Sequence, residues 1–448
     1  MARFDGKDVS IRLGGGSAFF NDRLDAAVEL VEKGRIDVLI LECLAERTLA
    51  LLHVARRSGQ HGYWERLPHR LNALLPALAK HDTRLVTNAG GADPIGAAHM
   101  VVELTKSLGL TMDVAAVTGD DVTQVVQDLD PVLAETREPL SKLGSEAIAV
   151  NAYLGADAIA DACRAGAQVI VTGRVTDSAL ALGPIRAALD WSPSDYNAMG
   201  CGVMTGHLLE CGGQATGGYF AEPCFKDVPD LDRLGFPIAE VRRDGSVIIT
   251  KPPGSGGRVD RHTVTEQLLY EMHDPAAYLT PDVTLDLTDV EMAETAPDEV
   301  RLTGVRGKAP PDTLKVLVGV ESGMLVEAEI SYAGINAIER AKLAMETVRK
   351  RLGRVPGIAN QPARYDLIGV NSLWPLEERE AYRDVRLRVA VRVRDREAAE
   401  RVITEVESLY VNGPAGGGGV RFAMRPTIRT YTTYLPRRHA SAKFEMVT

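Results

Sequence analysis

A thiol, an imidazole and a carboxylate fall within one short stretch: His207, Glu210 and Cys211, flanked by Gly206, Gly212 and Gly213. If residues 205–211 are helical, the three stand at i, i+3 and i+4 and share one face. Imidazole beside carboxylate is a proton-transfer pair. Imidazole beside thiol is the beginning of a nucleophile and its base. The same donors also suit zinc or iron, although the two-histidine helical spacing of metalloproteases is absent. Taken singly, a cytosolic Cys is usually a small buried hydrophobe, and His a hydrogen-bonded core residue. The clustering, together with glycines that let backbone approach a ligand closely, marks this stretch as the floor of a site.

Comparable groups recur just after apolar runs. Residues 36–41 lead into Glu42-Cys43-Leu44-Ala45-Glu46-Arg47, residues 84–87 into Asn88-Ala89-Gly90-Gly91, residues 147–150 into Asn151-Ala152-Tyr153, and residues 169–171 into Thr172-Gly173-Arg174-Val175-Thr176-Asp177-Ser178. Near the start, residues 9–13 give way to Gly14, Gly15, Gly16 and Ser17 before a helix. A strand, glycines and a helix start make a candidate anion cradle, but one lacking the Lys-Ser/Thr of a P-loop and the G-x-G-x-x-G spacing of a dinucleotide fingerprint. A tight turn is the alternative. Asp177, Glu42 or Glu210 could move a proton, and Arg174 or Arg47 could grip a carboxylate with two parallel hydrogen bonds. Gly14, Gly15, Gly16, Ser17, Asn88, Asn151 and Ser178 are the candidate contacts to substrate or phosphate. For Arg174 and Asp177 the plainer reading is an i, i+3 salt bridge beside a helix cap.

Something must gather loops so far apart in sequence. Strand, polar loop and helix alternate from residue 9 to about 190, which predicts a parallel sheet with helices on its faces. Ligands of such sheets sit beyond the carboxyl ends of the strands, where all these loops lie. Residues 1–225 are therefore expected to form a Rossmann-like α/β domain carrying the site. Residues 226–323, broken by prolines and carrying a hairpin signal at Asp244-Gly245, read as a β-rich connector. Residues 324–448 follow the order β-α-β-β-α-β, a ferredoxin-like α+β arrangement, with a glycine-rich loop through Gly416, Gly417, Gly418 and Gly419 before its last strand.

The composition is that of an ordinary soluble protein of two or three domains: 448 residues, 45% apolar and 25% charged. A net charge of −10 argues against nucleic-acid and anionic-membrane binding. Five cysteines without a C-x-x-C pair, and no apolar leader, point to the cytoplasm. No apolar run is long enough to span a bilayer, and a homo-oligomer is the expectation for such chains.

The ordered set Gly14-Gly15-Gly16, Glu42-Cys43-Leu44-Ala45-Glu46-Arg47, Thr87-Asn88-Ala89-Gly90-Gly91, Thr172-Gly173-Arg174-Val175-Thr176-Asp177-Ser178, Gly206-His207-Leu208-Leu209-Glu210-Cys211-Gly212 and Gly413-Pro414-Ala415-Gly416-Gly417-Gly418-Gly419 resembles the acyclic terpene utilisation (AtuA) family. The likeness covers nearly the whole chain. It implies catabolism of branched acyclic terpenoid acids through CoA thioesters and supplies no catalytic residues to carry over. Longer members carry a further small C-terminal domain, so a separate small subunit is an expected partner here. The leading expectation is an enzyme acting on a small branched carboxylate or its CoA thioester by lyase or hydratase chemistry. CoA would arrive as part of the substrate, no cofactor is certain, and a divalent metal stays open. The alternatives are a Cys211 thioesterase or acyltransferase activated by His207, and a non-catalytic subunit of a catabolic complex.

Overall fold

A computed structural model describes residues 9–143, 147–372 and 384–448. The chain divides into two compact units, one of residues 1–319 with 430–448 and one of residues 320–429.

The first unit is built on a mixed ten-stranded sheet. Its centre is parallel: β1 (Ser10–Gly15), β2 (Val38–Leu41), β3 (Arg84–Thr87), β4 (Val114–Thr118) and β6 (Val169–Thr172) lie in the spatial order β1-β2-β3-β6-β4. The apolar runs fit this place because both faces are covered; every residue of Val38–Leu41 is buried. Helices Leu24–Lys33, Leu67–His81 and Pro94–Ser107 pack with Leu39, Leu41, Leu85 and Val171 into one core. Helices Ala179–Leu189 and Tyr196–Glu210 lie against β1 and β2.

The strand pairing departs from the sequence reading in two places. β5 (Ala147–Ala152) is not a member of the parallel row; it pairs with strand Thr313–Ala333 instead. Its six residues are all buried, and an apolar run carries no mark of which neighbour it will take. The hairpin of β7 (Ile238–Arg242) and β8 (Val247–Thr250), read as part of a connector, extends the main sheet, with β7 antiparallel to β1 in the register Gly14 to Ile238. Gly245 makes the turn with φ +81°. Strands Glu299–Thr303 and Glu291–Ala296 continue that edge, and Lys443–Val447 closes the other against β4. A small sheet of Tyr278–Leu279, Thr284–Asp286 and Arg306–Lys308 belongs to the same unit.

The second unit follows the order strand, helix, strand, strand, helix, strand. Its elements are Thr313–Ala333 beyond Gly319, Ala337–Leu352, Ala363–Ile368, Asp384–Val393, Arg396–Glu407 and Gly418–Pro436 up to Arg429. In the sheet, Ala363–Ile368 and Thr313–Ala333 flank Asp384–Val393, and Gly418–Pro436 forms the outer strand beside Thr313–Ala333. Alternation is strict: Val326, Ala328, Ile330 and Tyr332 are buried against the helices. The intervening residues carry ion pairs such as Arg388–Asp366 at 2.6 Å and Arg386–Glu329 at 3.3 Å. Gly418 and Gly419 of the glycine run open the last strand. Among the described residues no helix is long and apolar enough to cross a membrane.

Candidate functional site

The ends of β2 and β6 and the end of helix Tyr196–Glu210 border a cavity of about 750 Å³ in the first unit. Glu42 follows β2 directly and is buried. Its Oε1 accepts from the Leu44 amide at 2.7 Å and from Asn88 Nδ2 at 3.1 Å, while Asn88 Oδ1 accepts from the Cys43 amide at 2.8 Å. Asn88 thus fixes the carboxyl from behind, at the end of the neighbouring strand. Burial, and then the negative charge of Asp177, push the Glu42 carboxyl up to about 8 against the pull of Arg174.

Arg174 is 2% exposed. Its Nε donates to the Val175 carbonyl at 2.8 Å, and its terminal nitrogens donate to the carbonyls of Leu44 and Val175 and to the Asp177 carboxylate. It also lies 4.7 Å from the centre of the Tyr153 ring. Burial works against the guanidinium charge, but Asp177, Tyr153 and Glu42 outweigh it and hold the cation firmly charged. Behind it, Asp120 accepts from the Arg174 amide and from Asn151 Nδ2, both at 2.9 Å, and Asn151 Oδ1 stands 2.9 Å from His53 Nε2. Burial raises the Asp120 carboxyl.

Helix Tyr196–Glu210 starts at Asp195, whose side chain accepts from the Ala198 amide at 3.1 Å. It reaches the cavity because its glycines let it lie close to its neighbours; a Cβ on Gly206 would stand 2.5 Å from Ser178 Cα. Gly206→Ala is therefore expected to lower stability by about 1–3 kcal/mol through overpacking, read as a lower midpoint in chemical denaturation. At the helix end His207 Nδ1 meets Glu210 Oε1 at 2.9 Å. Burial pushes Glu210 up, and Glu210 pulls His207 up against its own burial, so the pair keeps a proton between them. Cys211 caps the same helix. Burial and the neighbouring Glu210 push its thiol far up, and the negative end of a helix opposes a thiolate further.

Four further residues, Glu46, Tyr153, Lys315 and Tyr278, belong to the wall. Glu46 accepts from the Tyr153 hydroxyl at 2.8 Å and from Lys315 Nζ at 2.7 Å, and Lys315 stands 4.8 Å from the centre of the Tyr153 ring. Tyr278 sits 5.8 Å from His207, ring centre to ring centre. Tyr153 has the same signal as Asn151, a polar residue after an apolar run, whereas Lys315 reaches the site only through the pairing of β5 with strand Thr313–Ala333.

Of the residues singled out in the sequence, Glu42, Arg174, Asp177, Ser178, His207, Glu210 and Cys211 line this cavity. Asn88 and Asn151 stand behind it, supporting Glu42 and Asp120. In the stretch expected as an anion cradle, Gly14, Gly15 and Gly16, the Gly15 N–H donates to the Pro237 carbonyl at 3.0 Å and the Gly16 N–H to the Ile40 carbonyl at 2.7 Å. Main-chain bonding on both sides, to the residue before β7 and to β2, occupies these two donors. These glycines serve close packing instead, since a Cβ on Gly15 would run into the Leu209 carbonyl. Ser17 is buried, its hydroxyl donating to the Glu42 carbonyl at 2.7 Å. Arg47 is exposed on helix Glu46–Arg57 and does not line the cavity. Among the described residues no three His, Cys, Asp or Glu side chains are grouped to hold a metal ion.

Neither a curated protein nor a solved structure matches the chain. A family model described as acyclic terpene utilisation family protein AtuA matches residues 11–446, a span that includes every residue of the cavity. The chain therefore belongs to the acyclic terpene utilisation family AtuA, and with it to a broadly catabolic role in the use of acyclic terpenes.

Proposed function

We propose that the protein is an enzyme of lyase or hydratase type acting on a small branched acid of terpenoid kind or on its CoA thioester. One observation carries this reading: two buried proton-holding centres, Glu42 and the His207–Glu210 pair, border one cavity, and Asp177 raises the carboxyls of both. Buried groups that hold a proton more tightly than they would in water are what acid–base catalysis needs.

In the dehydrating direction, Glu210 takes the proton from the carbon beside the substrate carbonyl and the C–H electrons form the new double bond. The C–O bond at the next carbon then breaks, and Glu42 delivers its proton to the departing hydroxyl, which leaves as water. Hydration is the reverse. His207 holds Glu210 in place at 2.9 Å. Tyr278, whose hydroxyl burial keeps protonated, is a neutral donor on the same wall, while the Tyr153 hydroxyl is spent on Glu46. The nucleophilic route is less well supported, because the Cys211 thiol is held protonated and His207 is engaged by Glu210.

The test is to follow the conjugated absorbance of a methyl-branched 2-enoyl thioester on addition of the purified chain. Enzyme-dependent loss of absorbance is expected. No change with any branched enoyl or 3-hydroxyacyl substrate, as thioester or free acid, would contradict the proposal.

A further inference from the structure

We propose that the cavity admits an uncharged acyl group, its carboxyl masked as a thioester or ester, and excludes the free branched acid. The inference rests on the proton-transfer reading for the reaction, and on charge pairing for the ligand.

Five carboxyl groups line the cavity: Glu42, Glu46, Asp177, Glu210 and Glu271. Its Lys and Arg side chains are Arg174 and Lys315, and its imidazole is His207. The two cations are already paired, and the imidazole is paired through Nδ1 alone, its Nε2 being buried without a partner. Arg174 spends its donors on Asp177 and on the carbonyls of Leu44 and Val175. Lys315 is held by Glu46 at 2.7 Å, and His207 by Glu210 at 2.9 Å. Arg47, the other arginine suited by sequence to grip a carboxylate, is outside the wall.

A carboxylate entering this space would lose its hydration and meet carboxyl groups with no free counter-ion. Burying an unpaired charge is strongly unfavourable. A thioester carbonyl asks for less. The Thr176 hydroxyl is buried without a hydrogen-bond partner and belongs to the cavity wall, so an entering carbonyl oxygen would satisfy a donor that otherwise stays unpaired. Leu44, Leu279, Leu314, Pro281 and Pro311 supply apolar wall for a methyl-branched chain.

The experiment is calorimetric titration at neutral pH with a methyl-branched acid and with its uncharged N-acetylcysteamine thioester, in the wild-type chain and in Glu46→Gln. The thioester is expected to bind on the order of 100-fold more tightly than the acid. Glu46→Gln releases Lys315 as a counter-ion and should narrow that gap by about tenfold, through tighter binding of the acid. An acid that binds the wild-type chain as well as the thioester, or a gap unchanged in Glu46→Gln, would overturn the inference while leaving proton transfer to be judged by the absorbance assay. Binding of neither ligand would overturn both.

Discussion

Glu42→Gln should lower kcat by about 10²–10⁴-fold, the usual worth of a positioned general acid. The amide keeps the shape of the carboxyl and an oxygen for the Leu44 and Asn88 donors, so the fold should survive. The pH dependence separates a lost proton donor from a lost contact. With its carboxyl pushed up to about 8 by burial and by Asp177, Glu42 is protonated at neutral pH, and the dehydration rate should fall as pH rises through that value. Stability follows the same sign. The folded chain holds this proton more tightly than the unfolded chain, whose carboxyl lies near the ordinary 4.5. The stabilisation is fully present below that ordinary value and is lost as pH rises through about 8. Denaturation curves from pH 4 to 9 should show a decline on the order of a few kcal/mol in the wild type and a flatter profile in Glu42→Gln.

Arg174→Met should produce the largest loss of stability, about 3–5 kcal/mol, because buried backbone carbonyls lose their donor, with a smaller share from the half-exposed Asp177 carboxylate. Asp177 loses its counter-ion, and the carbonyls of Leu44 and Val175 lose their donor. Glu42 loses the cation that restrains its carboxyl, so any remaining activity should shift its alkaline limb to higher pH. Arg174→Lys should rescue little, since an ammonium cannot reproduce a planar fork reaching three acceptors. Arg47→Met is the control. That side chain is exposed, and its loss should stay within about 0.5 kcal/mol. Urea midpoints of the three variants, with pH–rate profiles of those that fold, check both parts.

The parallel strands and the residues at their ends were legible because a buried parallel strand leaves a continuous apolar run and its loop must emerge at the ligand-binding end. Glu42, Arg174 and Asp177 were found that way, and His207 with Glu210 by their spacing along a helix. What stayed hidden depends on pairing between distant segments. β5 reads like its parallel neighbours yet pairs with strand Thr313–Ala333, and only that pairing brings Lys315 beside Glu46. The glycines after residue 13 suggest an anion site until both neighbours of β1 are known, when the N–H groups of Gly15 and Gly16 are seen to be spent on Pro237, just before β7, and on Ile40 of β2. Arg47 sits five residues from Glu42 in sequence, but its place on helix Glu46–Arg57 leaves it exposed to solvent. Charge compensation is likewise invisible in sequence. The carboxyls and cations of the cavity can be counted there, but which cation is free depends on who stands beside whom.

The measurement closest to the central claim is exchange of the proton on the carbon beside the carbonyl of a methyl-branched 3-hydroxyacyl thioester in deuterium oxide, followed by mass spectrometry. Deuterium uptake that depends on the wild-type chain, and is lost in Glu210→Gln, is the result that acid–base chemistry in this cavity predicts. Uptake no faster than in buffer, or uptake undiminished in Glu210→Gln, would contradict it.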